Sequence, residues 1–192
     1  MLQDTTLETE RLIIRPFHLR DTEALHGILN QEEVTRYLPE DVMSSEEVKR
    51  ILAWLTECYQ KNTPEHVVKL TLAVVQKENK GLIGWCGLGP LEFDPKEIEI
   101  YYGLSKEYWG KGIATEAAVA ILGYGFNTLK LDKIVAITHS ENIASIKIIE
   151  KMGMIFKKRI GSLPAEHSFY EECLYYSLKK ENYINSRESP AC

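Results

Sequence analysis

Between Ile98 and Thr138 the chain switches its hydrophobic period twice, and no other stretch restricts the fold so much. Ile98 to Leu104 has the two-residue alternation of a strand, with Glu97, Glu99 and Tyr101 on one face and Ile98, Ile100 and Tyr102 on the other. Gly110-Lys111-Gly112-Ile113-Ala114 follows as a turn. Ile113, Ala117, Ile121 and Tyr124 then repeat at helical spacing, with Ala114, Ala118, Leu122 and Phe126 beside them. Lys133 to Thr138 (KIVAIT) is strand-like again. Strand, glycine turn, helix and strand make a crossover, whose two strands are expected to be parallel and right-handed in connection.

The flanking segments read as hairpins and amphipathic helices. Arg11 to Phe17 is the first expected strand, with Pro16 at an edge or an end. Asp21 precedes a helix bearing Ala24, Leu25, Ile28 and Leu29. Ser44 or Ser45, with Glu47, forms a capping box for a second helix, which carries Val48, Ile51, Leu52 and Leu55 and ends at Pro64. Strands are expected at Val67 to Val75 and Leu82 to Leu88. A last helix starts at Asn142 and stops at Gly153, and Met154 to Ile160 pairs with Ser168 to Leu178 as a hairpin. The order β-α-α-β-β-β-α-β-α-β-β predicts an α+β (mixed α/β) domain over residues 8–178, with a mostly antiparallel central sheet flanked by helices. Residues 179–192 read as a polar tail that frays.

Composition removes several function classes. The net charge of −5 lacks the basic footprint of a nucleic-acid binder, so no direct nucleic-acid partner is expected. No run approaches the roughly 20 apolar residues of a membrane span. Cys58, Cys86, Cys173 and Cys192 form no C-x-x-C pair, so neither zinc nor another metal is expected. Reduced thiols and no signal-like N-terminus fit a cytoplasmic protein. A homodimer is compatible with the sequence, which leaves oligomeric state open.

The glycine turn has a chemistry of its own. Glycines let backbone amides converge on one point, and the helix behind adds partial positive charge. That makes a cradle for a phosphate or diphosphate, with Lys111 at the rim and the Thr115 hydroxyl as a further donor. A tight turn without a ligand is the plainer account of the motif taken alone. A Walker A loop is excluded, because Gly112 follows Lys111 where Ser or Thr is required. A dinucleotide fingerprint is disfavoured by Thr115, and by Thr138 and His139 where an acid is expected. Downstream, Asn142 and Ser145 share the first turn of the last helix. Capping accounts for Asn142 as readily as ligand contact does.

Taken in order, TERLIIRPFHLRD, GLIGWCGL, IEIYYGLSKEYWGKGIATEA and NIASIKIIEKMGM resemble the GCN5-related N-acetyltransferase (GNAT) superfamily. The likeness runs from about Glu8 to Leu178 and is nearest to the branch of ribosomal-protein N-terminal acetyltransferases (RimJ/RimL-like). It implies a splayed central sheet and acetyl-CoA as cosubstrate. The superfamily's Gln/Arg-x-x-Gly-x-Gly/Ala signature falls on Trp109, Gly112 and Ala114, with Trp109 in place of the usual Gln or Arg. The resemblance implies that amides of Gly110, Lys111, Gly112, Ile113, Ala114 and Thr115 hold the diphosphate. It also implies that the strand ending at Tyr102, Gly103 and Leu104 pairs with the pantetheine arm, and that Asn142 contacts the coenzyme. Many members carry a tyrosine acid seven residues after that asparagine. Here the position is Ile149, and Ser145 becomes the candidate for the same task.

An amine attacks a thioester only when unprotonated, so transfer needs a base. Glu99 is the first candidate, because it lies on the strand expected to carry the acetyl group. Glu97 is the weaker alternative, and His139 stands near the Asn142 turn. A covalent route through Cys86 lacks a neighbouring base in the sequence. The expected acceptor is a primary amine, on a protein N-terminus or on a small molecule. The alternative outside enzymology is a coenzyme A-binding regulatory module without catalysis, which the loss of the tyrosine at Ile149 keeps in view.

Overall fold

The computed structural model describes residues 5–39, 42–63 and 66–183. Pro64, Glu40, Asp41, Cys192 and the rest of the tail beyond Tyr183 lie outside the described residues.

One eight-stranded sheet organises the chain in the order β1-β2-β3-β4-β5-β6-β8-β7. Its strands are β1 (Leu7–Glu8), β2 (Leu12–Pro16), β3 (Leu70–Gln76), β4 (Leu82–Leu91), β5 (Asp94–Leu104), β6 (Lys133–Thr138), β7 (Ile155–Arg159) and β8 (Leu174–Lys179). Helices α1 (Thr22–Leu29), α2 (Glu32–Thr35) and α3 (Ser45–Lys61) connect β2 to β3. Helix α4 (Ile113–Asn127) connects β5 to β6, and α5 (Ile143–Lys151) connects β6 to β7. Every pairing is antiparallel except β5 with β6, so the expected crossover and the mixed class are both present.

Local chemistry explains where the elements stop. Ser44 caps α3, taking the Glu47 amide at 3.3 Å while the Glu47 carboxylate takes the Ser44 amide at 2.8 Å. β3 starts three residues later than expected, because Asn62 Oδ1 accepts from the amides of Val68 (2.7 Å) and Lys69 (3.2 Å) and holds them in a turn. Tyr59 ties α3 to the sheet: its hydroxyl accepts from Phe17 N–H at 3.1 Å and donates to the Thr71 carbonyl. The core lies on both faces of β3 to β6, where Leu72, Val74, Ile83, Leu88, Ile121 and Phe126 are fully buried. Each such side chain contributes about 1.5–3 kcal/mol by leaving water.

Three departures from expectation have physical causes. β1 and α2 are too short, at two and four residues, to impose a period on the sequence. Ser168 to Cys173 is not strand, since Ala165–Tyr170 forms a 3₁₀ turn. There Phe169 packs edge-on to His139 (4.8 Å between centroids) and Tyr170 packs on Phe93 (5.3 Å), contacts that an extended strand could not make together. The first residues of the polar tail join the packed domain: Lys179 closes β8, and Tyr183 is buried with its ring 4.8 Å from Phe126.

Candidate active site

The sheet opens between β5 and β6. The two strands pair at a single register position, Glu99 with Val135. Beyond it β5 runs on to Leu104, still paired with β4 through Gly84. The β6-facing backbone of Ile100 to Leu104 therefore borders a wedge-shaped gap. Tyr102, Gly103 and Leu104 line this edge. Gly103 owes its lack of a side chain to Trp85, whose ring atoms lie 2.3 Å from where a Cβ would stand.

At the wide end of the wedge lies the glycine turn. Gly110 (φ 73°) and Gly112 (φ 75°) are both left-handed, a conformation costly for any residue with a Cβ. No side chain caps α4, and its first backbone bond is Glu116 N–H to the Gly112 carbonyl at 3.1 Å. The amides from Gly112 to Thr115 therefore point out of the helix end, where its partial positive charge is concentrated. Ile113 is buried in the core, so only its backbone can serve a ligand. Ala114 and Thr115 are half-buried beside the turn. Lys111 is exposed, with its ammonium 5.5 Å from the centre of the Tyr108 ring. Trp109 turns its indole N–H back to the Leu104 carbonyl at 2.8 Å and so fastens the turn to the end of β5. From Gly112 and Thr115 a groove of about 910 Å³ continues along α4 to Tyr124, with Lys151 on its rim.

The narrow end holds Glu99. Burial raises its carboxyl pKa to about 7, against the pull of the Lys69 ammonium and the Ile137 backbone amide, while the Glu92 charge pushes the same way as burial. Such a group is about half ionised near neutrality and can take up or release a proton there. Glu97 is different: Lys133 neutralises it at 2.6 Å. His139 lies between the rings of Tyr37 (5.8 Å) and Phe169 (4.8 Å). Cys86 is wholly buried, and burial pushes its thiol pKa far up, which removes it as a nucleophile.

Asn142 caps α5: its Oδ1 accepts from Ser145 N–H at 3.1 Å. The Ser145 hydroxyl lies 3.1 Å from the Tyr102 hydroxyl, which also donates to the Ser145 carbonyl at 3.3 Å. Burial raises the Tyr102 pKa to about 12, so the phenol stays protonated at any working pH. Ile149 is core, 1% exposed. A phenol thus stands near the first turn of α5 after all, delivered by β5 rather than by the helix. No local signal announces that meeting, nor that of Arg11, whose guanidinium reaches the glycine turn with a 2.9 Å bond to the Lys111 carbonyl.

The family model for the acetyltransferase (GNAT) domain matches residues 11–155. An uncharacterized N-acetyltransferase of Bacillus subtilis, YnaD, is 32% identical over 179 residues, which covers 91% of this chain and 98% of that protein. A solved GNAT-family acetyltransferase from Bacillus anthracis superposes with a TM-score of 0.75 at 28% identity, covering 92% of this chain and 99% of its own. The spermidine N-acetyltransferase of Vibrio cholerae, solved in complex with CoA and spermine, shares the fold with a TM-score of 0.74 at 20% identity, over 92% and 100% of the two chains. Nothing in these relatives supports a coenzyme-binding module without catalysis. The split sheet, the uncapped glycine turn and the full-length likeness agree: this chain belongs to the GNAT acetyltransferases and is an acetyl-CoA-dependent N-acetyltransferase.

Proposed function

We propose that an amine attacks the acetyl thioester directly, with Glu99 as general base and Ser145 as hydrogen-bond donor to the departing sulfur. The observation that carries this reading is the position of Glu99. It stands where β5 and β6 part, with a proton affinity raised to about 7. The diphosphate of acetyl-CoA lies on the amides from Gly110 to Thr115, and Asn142 contacts the coenzyme from the start of α5. The pantetheine arm extends β5 as a strand along Tyr102, Gly103 and Leu104, which sets the thioester beside Glu99. The amine nitrogen then bonds to the acetyl carbon, its proton passes to Glu99, and the carbon–sulfur electron pair leaves with sulfur. A backbone N–H near Tyr102 faces the developing oxyanion. A thiolate with a pKa near ~8.5, by analogy with cysteine, needs only a hydrogen bond, which the Ser145 O–H gives when the Tyr102 phenol turns its proton from the Ser145 carbonyl to the Ser145 hydroxyl oxygen.

The acceptor best matched to this base is an α-amino group, as on a peptide or protein N-terminus. Its pKa of ~7.7–8.0 lies within about one unit of Glu99, whereas a lysine-like amine near ~10.4 is more than three units away. A small polyamine is the second reading, favoured by the adjacent negative charges of Glu92 and Glu99.

Thiol release from acetyl-CoA, measured against N-terminal peptides, amino-acid derivatives and spermidine, tests both. Turnover is expected for peptides with a free α-amino group, with Ser145→Ala slower by about 10-fold or more and coenzyme binding retained. Full activity in both Glu99→Gln and Ser145→Ala would discard the assigned roles. Silence of every acceptor despite tight coenzyme binding would discard catalysis of this type.

A further inference from the structure

The glycine turn poses a problem of its own. Two left-handed glycines separated by one residue give the backbone wide freedom, and a cradle works only if its amides are aimed before the ligand arrives. The residue at the signature position, Trp109, does not aim them, because its indole N–H is bound to the Leu104 carbonyl. Arg11, immediately before β2 and 100 positions from Lys111, does reach the turn.

We infer that Arg11 is a positioning residue that aims the Gly112 amide into the diphosphate cradle. Its Nη1 donates to the Lys111 carbonyl at 2.9 Å. The peptide between Lys111 and Gly112 is planar and trans, so its C=O and its N–H point in opposite directions. Fixing the carbonyl towards Arg11 therefore fixes the Gly112 N–H on the side away from Arg11. Arg11 is itself held. Its Nε and Nη2 each lie 2.6 Å from Glu116 Oε2, and the other carboxylate oxygen accepts from the Arg11 amide at 2.9 Å and from the Thr9 hydroxyl at 2.5 Å. Glu116 stands in the first turn of α4, so guanidinium, turn and helix end form one unit. Partial burial resists ionisation of Glu116, but the Thr9 and Arg11 hydrogen bonds win and hold its carboxyl below the usual range. The pair is thus ionised at neutral pH and nearly neutral in sum, so Arg11 works by geometry more than by net charge. A Cβ on Gly112 would stand 3.6 Å from Arg11 Nη2, so the guanidinium forms one wall of the turn. Lysine cannot replace it, because one ammonium lacks the planar fork that spans Glu116 and the carbonyl together.

The inference rests on the cradle assigned above, and its test separates the two. Coenzyme A affinity is measured by calorimetry on the wild type, Arg11→Lys, Arg11→Met and the double variant Arg11→Met with Glu116→Gln, which leaves no unpaired carboxylate. Thermal melting confirms that each is folded. All three variants are expected to bind coenzyme A about 10-fold more weakly or worse, the loss of one oriented hydrogen bond to a charged ligand. The loss should persist at about 1 M salt, where the Debye length is only about 3 Å and a plain charge effect would fade. In amide NMR spectra coenzyme A should shift the Gly112 resonance in the wild type but far less in the variants, while the Ile137 amide at the thiol end still responds. Folded variants with wild-type affinity would overturn the inference, as would a loss that vanishes in high salt or an undiminished Gly112 shift. Failure of the wild type to bind coenzyme A would sink the cradle itself, and the inference with it.

Discussion

Glu99 carries an internal conflict between function and stability. Its carboxyl is ionised near pH 4.5 in an unfolded chain but holds its proton to about 7 in the fold. The folded state therefore binds that proton more tightly. The stability it contributes is complete below pH 4.5 and is lost as pH rises through 7. Glu99→Gln should relieve this loss. In denaturant unfolding the variant should gain about 1–2 kcal/mol relative to the wild type between pH 5 and pH 8, a figure set below the full shift because the side chain keeps some contact with water. A gain that is equal at both pH values would show that burial does not perturb Glu99. Removing the Tyr59 hydroxyl should do the opposite. Tyr59→Phe strands the Phe17 N–H and the Thr71 carbonyl, and is expected to lower stability by about 1–3 kcal/mol at every pH.

Among the elements, the turn into α4 and the gap between β5 and β6 decide what the site can hold. Gly112→Val adds a branched side chain at φ 75° and fills one side of the turn. Coenzyme A affinity in that variant should fall by 10-fold or more in calorimetry, with the melting temperature changed by only a few degrees. Unchanged affinity would remove the amides from Gly110 to Thr115 from any ligand role. This turn was legible in the sequence, because glycine spacing, a change of hydrophobic period and a following strand are local facts. The capping box at Ser44 and Glu47 and the cap at Asn142 were legible for the same reason. Ser168 to Cys173 misled, because its alternation of ring and polar residues matches a strand, and only the distant rings of Phe93 and His139 draw it into a 3₁₀ turn. Arg11 beside the turn and Tyr102 beside Ser145 were not readable at all. Each pair joins residues far apart in the chain, and either side chain would look ordinary in a strand.

For the molecule as a whole, the eight-stranded sheet is a frame that parts at one place. β1 to β5 form one antiparallel wing, and β6, β8 and β7 form the other. Glu99 with Val135 is the hinge point between them, while α4 and α5 bring the glycine turn and Ser145 to the opening. In the proposed reaction that frame brings an acetyl thioester and an amine to one carboxylate. The most direct test is the pH dependence of kcat/KM for thiol release in the wild type and in Glu99→Gln, with one acceptor. Both proteins share the slope from deprotonation of the amine. The wild type alone should show a further inflection near pH 7, with activity rising as Glu99 ionises, and the variant should be slower by about 10²–10⁴-fold above it. Superimposable profiles with the same inflection would show that the proton leaves by another route, and would contradict the account.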